Sequence, residues 1–526
     1  MLGGNFMDSS SINLLFYNKR KNILSEKGVL FETSNNKYFY DTGTSKVVLL
    51  DDFDYFVINN IINNESVKNF DDLVGLIGNR LFYSDSEVIQ KLGMLDKFIS
   101  DENLFMAPEL KCLKQEGYDE LVKEQLNNNM NQIILELTGK CNLRCKYCIY
   151  NDNYEKNRNF NPKSMTFDVA KKAIDYLNIH GDDSVSVTFY GGEPLLEFEL
   201  LKKCIEYSRE KILDKELNFS LTTNLTKMDE EKAKYLASVD NLSVVCSIDG
   251  PKYVHDSYRV YQNGKGSFED AIKGLKYLVR NFKGKTQKIS INAVFAPPYT
   301  YEKLIDINEF FSKLEWLPKN VNIDINYVSE GTVDDKSHLQ ELKKDSKYCT
   351  KHGVVDPLLL YTKNDFLKQS EYSRLSSSLT SQLIHIHDRK IFNEPSDIYV
   401  FNGCCIPGAR RLYVTTEGEY DICERVGLSP SIGNVKEGIA FDKVKKYYLD
   451  EYSDVLTPLC KKCWAKRLCR RCYARSYNEK QLISENELNI SCNYIREAII
   501  DELELYHEIY ENDPKCLDFL NDIEIF

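Results

Sequence analysis

Leu137-Thr138-Gly139-Lys140-Cys141-Asn142-Leu143-Arg144-Cys145-Lys146-Tyr147-Cys148 sets three thiols at CxxxCxxC spacing directly after residues 133–137, a largely apolar run that reads as a strand. One tight loop thus offers three thiolate donors. A zinc knuckle and a group of core thiols are the plain alternatives. An iron–sulfur cube takes four donors, so three from one loop leave one iron open to a small molecule, which makes the metal site a reagent instead of a staple.

Outward from this loop, residues 129–330 alternate between two periodicities. Strand-like runs fall at 133–137, 185–190, 219–223, 242–248, 289–295 and 321–328, and amphipathic helical stretches at 166–179, 197–212, 230–237, 268–279 and 301–311. Such βα repetition gives a parallel sheet with right-handed crossovers, and six units give an incomplete (β/α)6 TIM barrel of the α/β class. Functional residues of such barrels gather at the C-terminal strand ends, where the cysteine loop lies. The second strand ends in Tyr190-Gly191-Gly192-Glu193-Pro194, whose paired glycines allow close backbone approach and whose proline fixes the exit; a bare strand-to-helix turn has the same composition. The third ends in Thr222-Thr223-Asn224 and the fourth in Cys246-Ser247-Ile248-Asp249-Gly250-Pro251, followed by His255, Asp256 and Arg259. His255 is expected to order its loop by hydrogen bonding. Asn263-Gly264-Lys265-Gly266 lacks a preceding strand and the Lys-Ser/Thr of a phosphate loop, so it reads as a turn.

Residues 1–105 read as a small independent unit. Runs at 29–33, 38–40 and 46–50 suggest an antiparallel sheet, and helical patterns follow at 51–60, 71–77 and 86–99. Three strands and then three helices is a winged-helix-like order. The 526 residues suffice for several domains, with segments 1–105, 125–330, 331–395 and 396–526 as the expected divisions. Residues 331–395 are charged and serine-rich and read as a bridge. A net charge of -12 argues against broad binding to nucleic acid or anionic membrane, and no apolar run reaches the length of a membrane span. Sixteen cysteines without a secretory-signal pattern fit metal-binding thiols in a reducing cytoplasm.

Eight cysteines crowd the last quarter: Cys404, Cys405, Cys423, Cys460, Cys463, Cys469, Cys472 and Cys492. Residues 410–422 form two β-rich halves around Glu417-Gly418, a hairpin pattern, and Cys460-Lys-Lys-Cys463 and Cys469-Arg-Arg-Cys472 supply two close pairs. Paired CxxC is also zinc-ribbon spacing.

The CxxxCxxC loop resembles the signature of the radical SAM enzymes, in which the open iron chelates S-adenosylmethionine and one electron cleaves it to a 5'-deoxyadenosyl radical. Tyr147 fits that signature. The resemblance implies Cys141, Cys145 and Cys148 as cluster ligands, and Gly191, Gly192 and Glu193 as the family's GGEP contact to the methionine amino group. It also implies Thr223, Asn224 and Ser247 near the ribose, and Arg259 against the cofactor carboxylate, which a guanidinium fork suits. The C-terminal cysteines resemble a SPASM domain with two auxiliary 4Fe-4S clusters, making three with the SAM-binding one. Carried over, Cys405, Cys423 and Cys472 hold the first auxiliary cluster, with Cys404 or a substrate thiolate as fourth ligand, and Cys460, Cys463, Cys469 and Cys492 hold the second.

Phe401-Asn-Gly-Cys-Cys-Ile-Pro-Gly-Ala-Arg410 and Ile432-Gly-Asn-Val435 extend the likeness to Cys-rich peptide maturases of the sactipeptide and ranthipeptide kind. The N-terminal unit resembles the leader-recognition domain of such enzymes, where the leader adds a strand to the sheet edge. Thioether crosslinking of a Cys-containing, leader-bearing precursor peptide is the activity implied, with a flavodoxin or ferredoxin as electron donor. Anaerobic sulfatase maturases, which make formylglycine, carry an aspartate base where this chain has Glu424, the candidate base here. Carbon–carbon crosslinking or epimerisation of a peptide is a further option within the fold, and a zinc-dependent peptide-binding protein is the alternative from a different class.

Overall fold

The computed structural model describes residues 26–64, 66–151, 158–328, 332–333, 349–350, 353–354, 376–397, 399, 405–425, 427–473, 476–478 and 480–522. Its first elements are an antiparallel sheet in the order β1 (Gly28–Glu32), β2 (Lys37–Asp41), β3 (Val47–Leu50), then α1 (Asp52–Asn63), α2 (Phe70–Leu81) and α3 (Asp85–Asp101). Each helix starts where a side chain can accept an otherwise unpaired N–H. Asp51 accepts from the Asp54 amide, and Asn69/Asp72 and Ser84/Glu87 form reciprocal capping boxes.

Period-two alternation gives this sheet two apolar faces. Phe39, Val48 and Leu50 pack with Val57, Ile61, Leu73 and Leu92 of the following helices. Phe31, Tyr38 and Tyr40 point the other way and bury against Trp464, Leu468, Ile499 and Leu503 from the C-terminal region. Burial of each such ring contributes about 1.5–3 kcal/mol. Polar contacts fix the register: Thr33 Oγ1 and Tyr38 Oη each donate to Glu511 Oε1 at 2.7 Å, Thr42 Oγ1 donates to the Trp464 carbonyl at 2.8 Å, and Arg467 Nε donates to the Thr42 carbonyl at 2.8 Å. The unit has its own core, yet it is not free-standing.

Next come α4 (Tyr118–Asn128), β4 (Met130–Thr138), α5 (Phe167–His180), β5 (Gly181–Gly191), α6 (Phe198–Lys211), β6 (Glu216–Thr223), α7 (Glu230–Ser238), β7 (Leu242–Ser247), α8 (Lys252–Tyr258), α9 (Phe268–Asn281), β8 (Ile289–Phe295), α10 (Tyr301–Ser312) and β9 (Asn322–Tyr327). Strands β4 to β9 pair in parallel in sequence order, as the alternating pattern requires. One face of this sheet is apolar, with Ile133, Leu135, Val187, Phe189, Leu221, Val244, Ile291 and Ile323 buried in register along it, and the other carries polar residues such as Gln132, Glu136, Ser186, Thr188, Ser220, Thr222 and Asn292.

The rest of the chain adds β10 (Cys349–Thr350), β11 (Gly353–Val354), α11 (Ser376–His387), β12 (Leu412–Val414), β13 (Glu419–Asp421), β14 (Gly433–Asn434), β15 (Gly438–Ile439), α12 (Glu451–Lys461) and α13 (Glu485–Asn512). The hairpin around Gly418 forms, with that residue at φ +87° where a side chain is disfavoured. Its first strand, β12, lies parallel to β4, pairing Leu412 with Ile133 and Val414 with Leu135. The cysteine-rich region is therefore continuous with the central sheet, whose order is β15-β14-β13-β12-β4-β5-β6-β7-β8-β9 and does not close on itself among the described residues. Helices α4, α8 and α13 were not anticipated from the sequence pattern; α13 divides its apolar residues between neighbours, which blurs its period.

His507 of α13 sits against the rings of Phe31 and Tyr38, its Nδ1–H donating to the Leu503 carbonyl at 2.8 Å. Burial holds its imidazole down at about 4, below the ordinary 6.5. Near pH 6.5 the unfolded chain gains a proton that the folded chain refuses until about pH 4. Stability is thus full above that window and falls as pH drops through it, by at most about 3 kcal/mol. Denaturant midpoints at about pH 7.5 and about pH 5 are expected to differ less in His507→Phe than in wild type; equal differences would refute the assignment.

Candidate functional site

The ends of β4 to β7 converge on the cysteine loop. Gly191 and Gly192 lie against the backbone leaving β4: the Gly192 amide donates to the Thr138 carbonyl at 2.8 Å and the Glu193 amide to the Lys140 carbonyl at 2.9 Å. A Cβ on Gly191 would stand 2.3 Å from the Thr138 oxygen, and one on Gly192 2.1 Å from the Lys140 oxygen. These glycines are thus required by backbone approach, as their pairing suggested. Glu193 turns its buried carboxylate inward, accepting from the Leu195 amide (3.0 Å), Thr223 Oγ1 (2.8 Å) and the Asn224 amide (2.8 Å). Burial nonetheless raises its pKa. Glu193 thereby locks the end of β6 to the end of β5, and Asn224 Nδ2 comes within 3.8 Å of Cys141 Sγ.

Cys141, Cys145 and Cys148 lie within electrostatic range of one another. Burial pushes all three thiols up, Cys145 to about 12 even with Arg259 opposing the shift. A metal that displaces the protons would relieve this cost.

Asp249 organises the facing side, a role the sequence motif contained but did not reveal. Its Oδ1 accepts from Arg259 Nε and from the Val294 amide, both at 3.0 Å, and its Oδ2 from Tyr147 Oη at 2.5 Å. Tyr147 also stacks on Tyr258, whose hydroxyl donates to the Pro297 carbonyl at 2.9 Å. Arg259, expected against a cofactor carboxylate, already pairs through Nε with a buried protein carboxylate. His255 orders the loop as expected: its Nδ1 accepts from the Asp249 amide at 3.4 Å and its Nε2–H faces Ser267 Oγ at 3.1 Å, the tautomer following from those partners. Ser247 is buried at the end of β7.

A second polar cluster joins the cysteine loop to the β12–β13 hairpin. Tyr150 donates to Glu136 Oε1 at 3.1 Å and meets the Tyr413 hydroxyl at 2.9 Å. Arg158 covers the Tyr413 ring and donates to Asp421 Oδ2 (3.1 Å), the Glu424 carbonyl (2.8 Å) and the Cys423 carbonyl (3.0 Å). No local pattern marked Arg158. Glu424 is buried, with Oε1 2.7 Å from Arg411 Nη1 and Oε2 lacking a hydrogen-bond partner among the described residues.

Among the C-terminal thiols, Cys472 lies in electrostatic range of Cys423, whereas Cys469 lies in range of Cys463 and Cys492. Cys405 is exposed, and Cys404 lies outside the described residues. Among the described residues no three metal-binding side chains converge to ligating geometry.

Residues 135–311 match the family model of the radical SAM superfamily. The uncharacterized protein MJ0907 of Methanocaldococcus jannaschii is 37% identical over 321 residues, covering 60% of this chain and 94% of that protein. A cysteine-type anaerobic sulfatase-maturating enzyme of Clostridium novyi is 29% identical over 196 residues, 36% of this chain and 49% of that enzyme, so the match spans about half of that relative. In fold, the chain is similar to the solved structure of native anSMEcpe with bound AdoMet, at TM-score 0.52 and 20% identity, over 74% of this chain and 100% of that one. The chain belongs to the radical SAM superfamily and is a radical SAM enzyme.

Removing one partner of a buried ion pair leaves an uncompensated charge, at a cost of about 3–5 kcal/mol. Asp249→Asn is expected to lower unfolding free energy by that amount in urea titrations, as the buried Arg259 loses its counter-charge. Gly192→Ala, by the contact with Lys140, is expected to lower Tm in a thermal melt.

Proposed function

We propose that the chain is a peptide maturase that forms thioether crosslinks in a leader-bearing, Cys-containing precursor. The observation that carries this reading is the pairing of β12 with β4, which brings the Cys423 hairpin beside the Cys141–Cys148 loop through Arg158 and Tyr150. Two thiol sets then serve one cleft, above a βα sheet read as a partial barrel. Cys141, Cys145 and Cys148 would hold the SAM-binding cluster; Cys405, Cys423 and Cys472 the first auxiliary cluster; Cys460, Cys463, Cys469 and Cys492 the second. The burial and mutual range of the first three thiols, and the division among the C-terminal thiols, fit these groups. When bound, cluster and S-adenosylmethionine supply a 5'-deoxyadenosyl radical able to take a hydrogen atom from the acceptor residue.

The chain's own residues position and exclude. Gly191, Gly192 and Glu193 fix the rim of the cleft, with Thr223, Asn224 and Ser247 beside it. Arg259, Asp249 and Tyr147 keep the opposite wall rigid and dry. Glu424, held through one oxygen by Arg411, takes the thiol proton as the sulfur bonds to carbon, and the surplus electron leaves toward a donor–acceptor protein of the flavodoxin or ferredoxin kind. The leader adds along β3, one of the two edge strands of the N-terminal sheet, where Leu49 is exposed.

Similarity to sulfatase-maturating enzymes favours formylglycine formation as the second reading. Anaerobic reconstitution is expected to give about 12 irons per chain for three cubes, with 5'-deoxyadenosine released on reduction with S-adenosylmethionine. Cys141→Ala should abolish that release while the N-terminal unit keeps its fold. Glu424→Gln should lower peptide turnover about 10²-fold or more with deoxyadenosine release retained. Peptide products two mass units lighter per crosslink, with a cysteine blocked to alkylation, support thioether formation, whereas an aldehyde in place of a cysteine or serine side chain supports the second reading. Colourless, zinc-loaded protein without cofactor cleavage overturns both.

A further inference from the structure

Buried cations gather around the thiols of Cys460, Cys463, Cys469 and Cys492. Arg471 is 2% exposed and Lys466 3% exposed, values that long charged side chains reach only beside compensating charge. Arg471 Nη2 donates to the Leu488 carbonyl at 2.8 Å and to Cys492 Sγ at 2.9 Å, and its charge is in range of Cys469. Lys466 Nζ lies 3.4 Å from the Lys461 carbonyl, with Cys463 and Cys460 in electrostatic range; Glu26 and Lys27, which also face it, carry opposing charges. Arg496, one helical turn beyond Cys492 on α13, reaches to 4.0 Å from Cys463 Sγ. Each of the four thiols Cys460, Cys463, Cys469 and Cys492 thus has a cation in range.

In the other group the half-buried Cys423 also has a cation in range, Arg158, which donates to its carbonyl at 3.0 Å. Cys405 and Cys472 are exposed, and Arg410, at 3.7 Å from Cys405 Sγ, is exposed as well. Water screens charge there. In the buried group, thiolates joined to a metal cluster would place negative charge beside Arg471 and Lys466.

We propose that Arg471 and Lys466 form a cationic cage for the Cys460/Cys463/Cys469/Cys492 site and raise the reduction potential of the cluster bound there. The inference rests on the cluster assignment above but not on the peptide chemistry. Reduction of such a cluster adds one electron and breaks no bond. The added negative charge is stabilised by fixed cations nearby and by hydrogen bonds to sulfur, both of which move the potential upward. Arg471 and Lys466 are positioning and tuning residues in this scheme; they need touch neither peptide nor S-adenosylmethionine.

The test is an EPR-monitored potentiometric titration of the full chain, reconstituted anaerobically and reduced with dithionite. Arg471→Met with wild-type iron content is expected to shift one of three cluster potentials downward and leave two in place. Arg471→Lys is expected to restore most of the shift. Three unchanged potentials in iron-replete Arg471→Met overturn the proposal. Should Arg471→Met lose about four irons, the same titration on Lys466→Met decides, a downward shift in one potential supporting the cage and no shift overturning it. Wild-type protein whose iron content does not change in Cys463→Ala locates the failure in the cluster assignment and overturns the cage with it.

Discussion

Three residues of β12 laid parallel against β4 constrain much of this molecule. Strand β4 carries the cysteine loop, and a bare edge there would leave backbone N–H and C=O groups of a buried strand unpaired. Leu412, Tyr413 and Val414 satisfy that edge, and in doing so they fix where the following turn and strand must lie. Tyr413 then meets Tyr150, and Asp421 and the Cys423 carbonyl meet Arg158, so that segments more than 250 residues apart share one hydrogen-bonded cluster. The relation between the two thiol-bearing regions follows from sheet pairing, which is stiff, instead of from a linker.

Charge is placed in this interior in matched sets. Arg259 with Asp249, Arg158 with Asp421, and Arg411 with Glu424 each put a guanidinium against a carboxylate, at 3.0, 3.1 and 2.7 Å. Pairs of this kind add little net stability once desolvation is counted, but they penalise misplacement heavily, because either partner alone is costly to bury. They therefore serve register more than strength. Around a cleft whose loops come from several strands, that is the more useful property.

The six parallel strands and five of the helices between them were legible because each strand and helix keeps its own period over one to three turns of pattern, and the strand limits at β8 coincide with the apolar run itself. The GGE segment was legible for a different reason: two adjacent glycines before proline have few uses other than close backbone approach, and the Thr138 and Lys140 oxygens supply it. What escaped were relations without a local signature. A three-residue strand such as β12 is too short to show a period, and its parallel partner lies far away in sequence. Arg158 is one arginine among many until its carbonyl partners are known. Asp249 stood inside a motif already noticed, but only the geometry gives it three donors from three different strand ends. The N-terminal sheet was read correctly as strands then helices, yet its second apolar face, evident in Phe31, Tyr38 and Tyr40, was not connected with a distant helix.

That second face bears on how the protein can be taken apart. A domain with one core can be cut out, fused elsewhere or exchanged between proteins by matching its linker. Here Phe31, Tyr38 and Tyr40 share a core with Trp464 and Leu468, from the loop between Cys463 and Cys469, and with Ile499 and Leu503 of α13. A transplant of the N-terminal unit alone would carry an uncovered aromatic face and leave behind an open one. The exchangeable piece is discontinuous, joining residues near both ends of the chain, so a chimera that keeps its solubility has to swap the sheet and its C-terminal seat together.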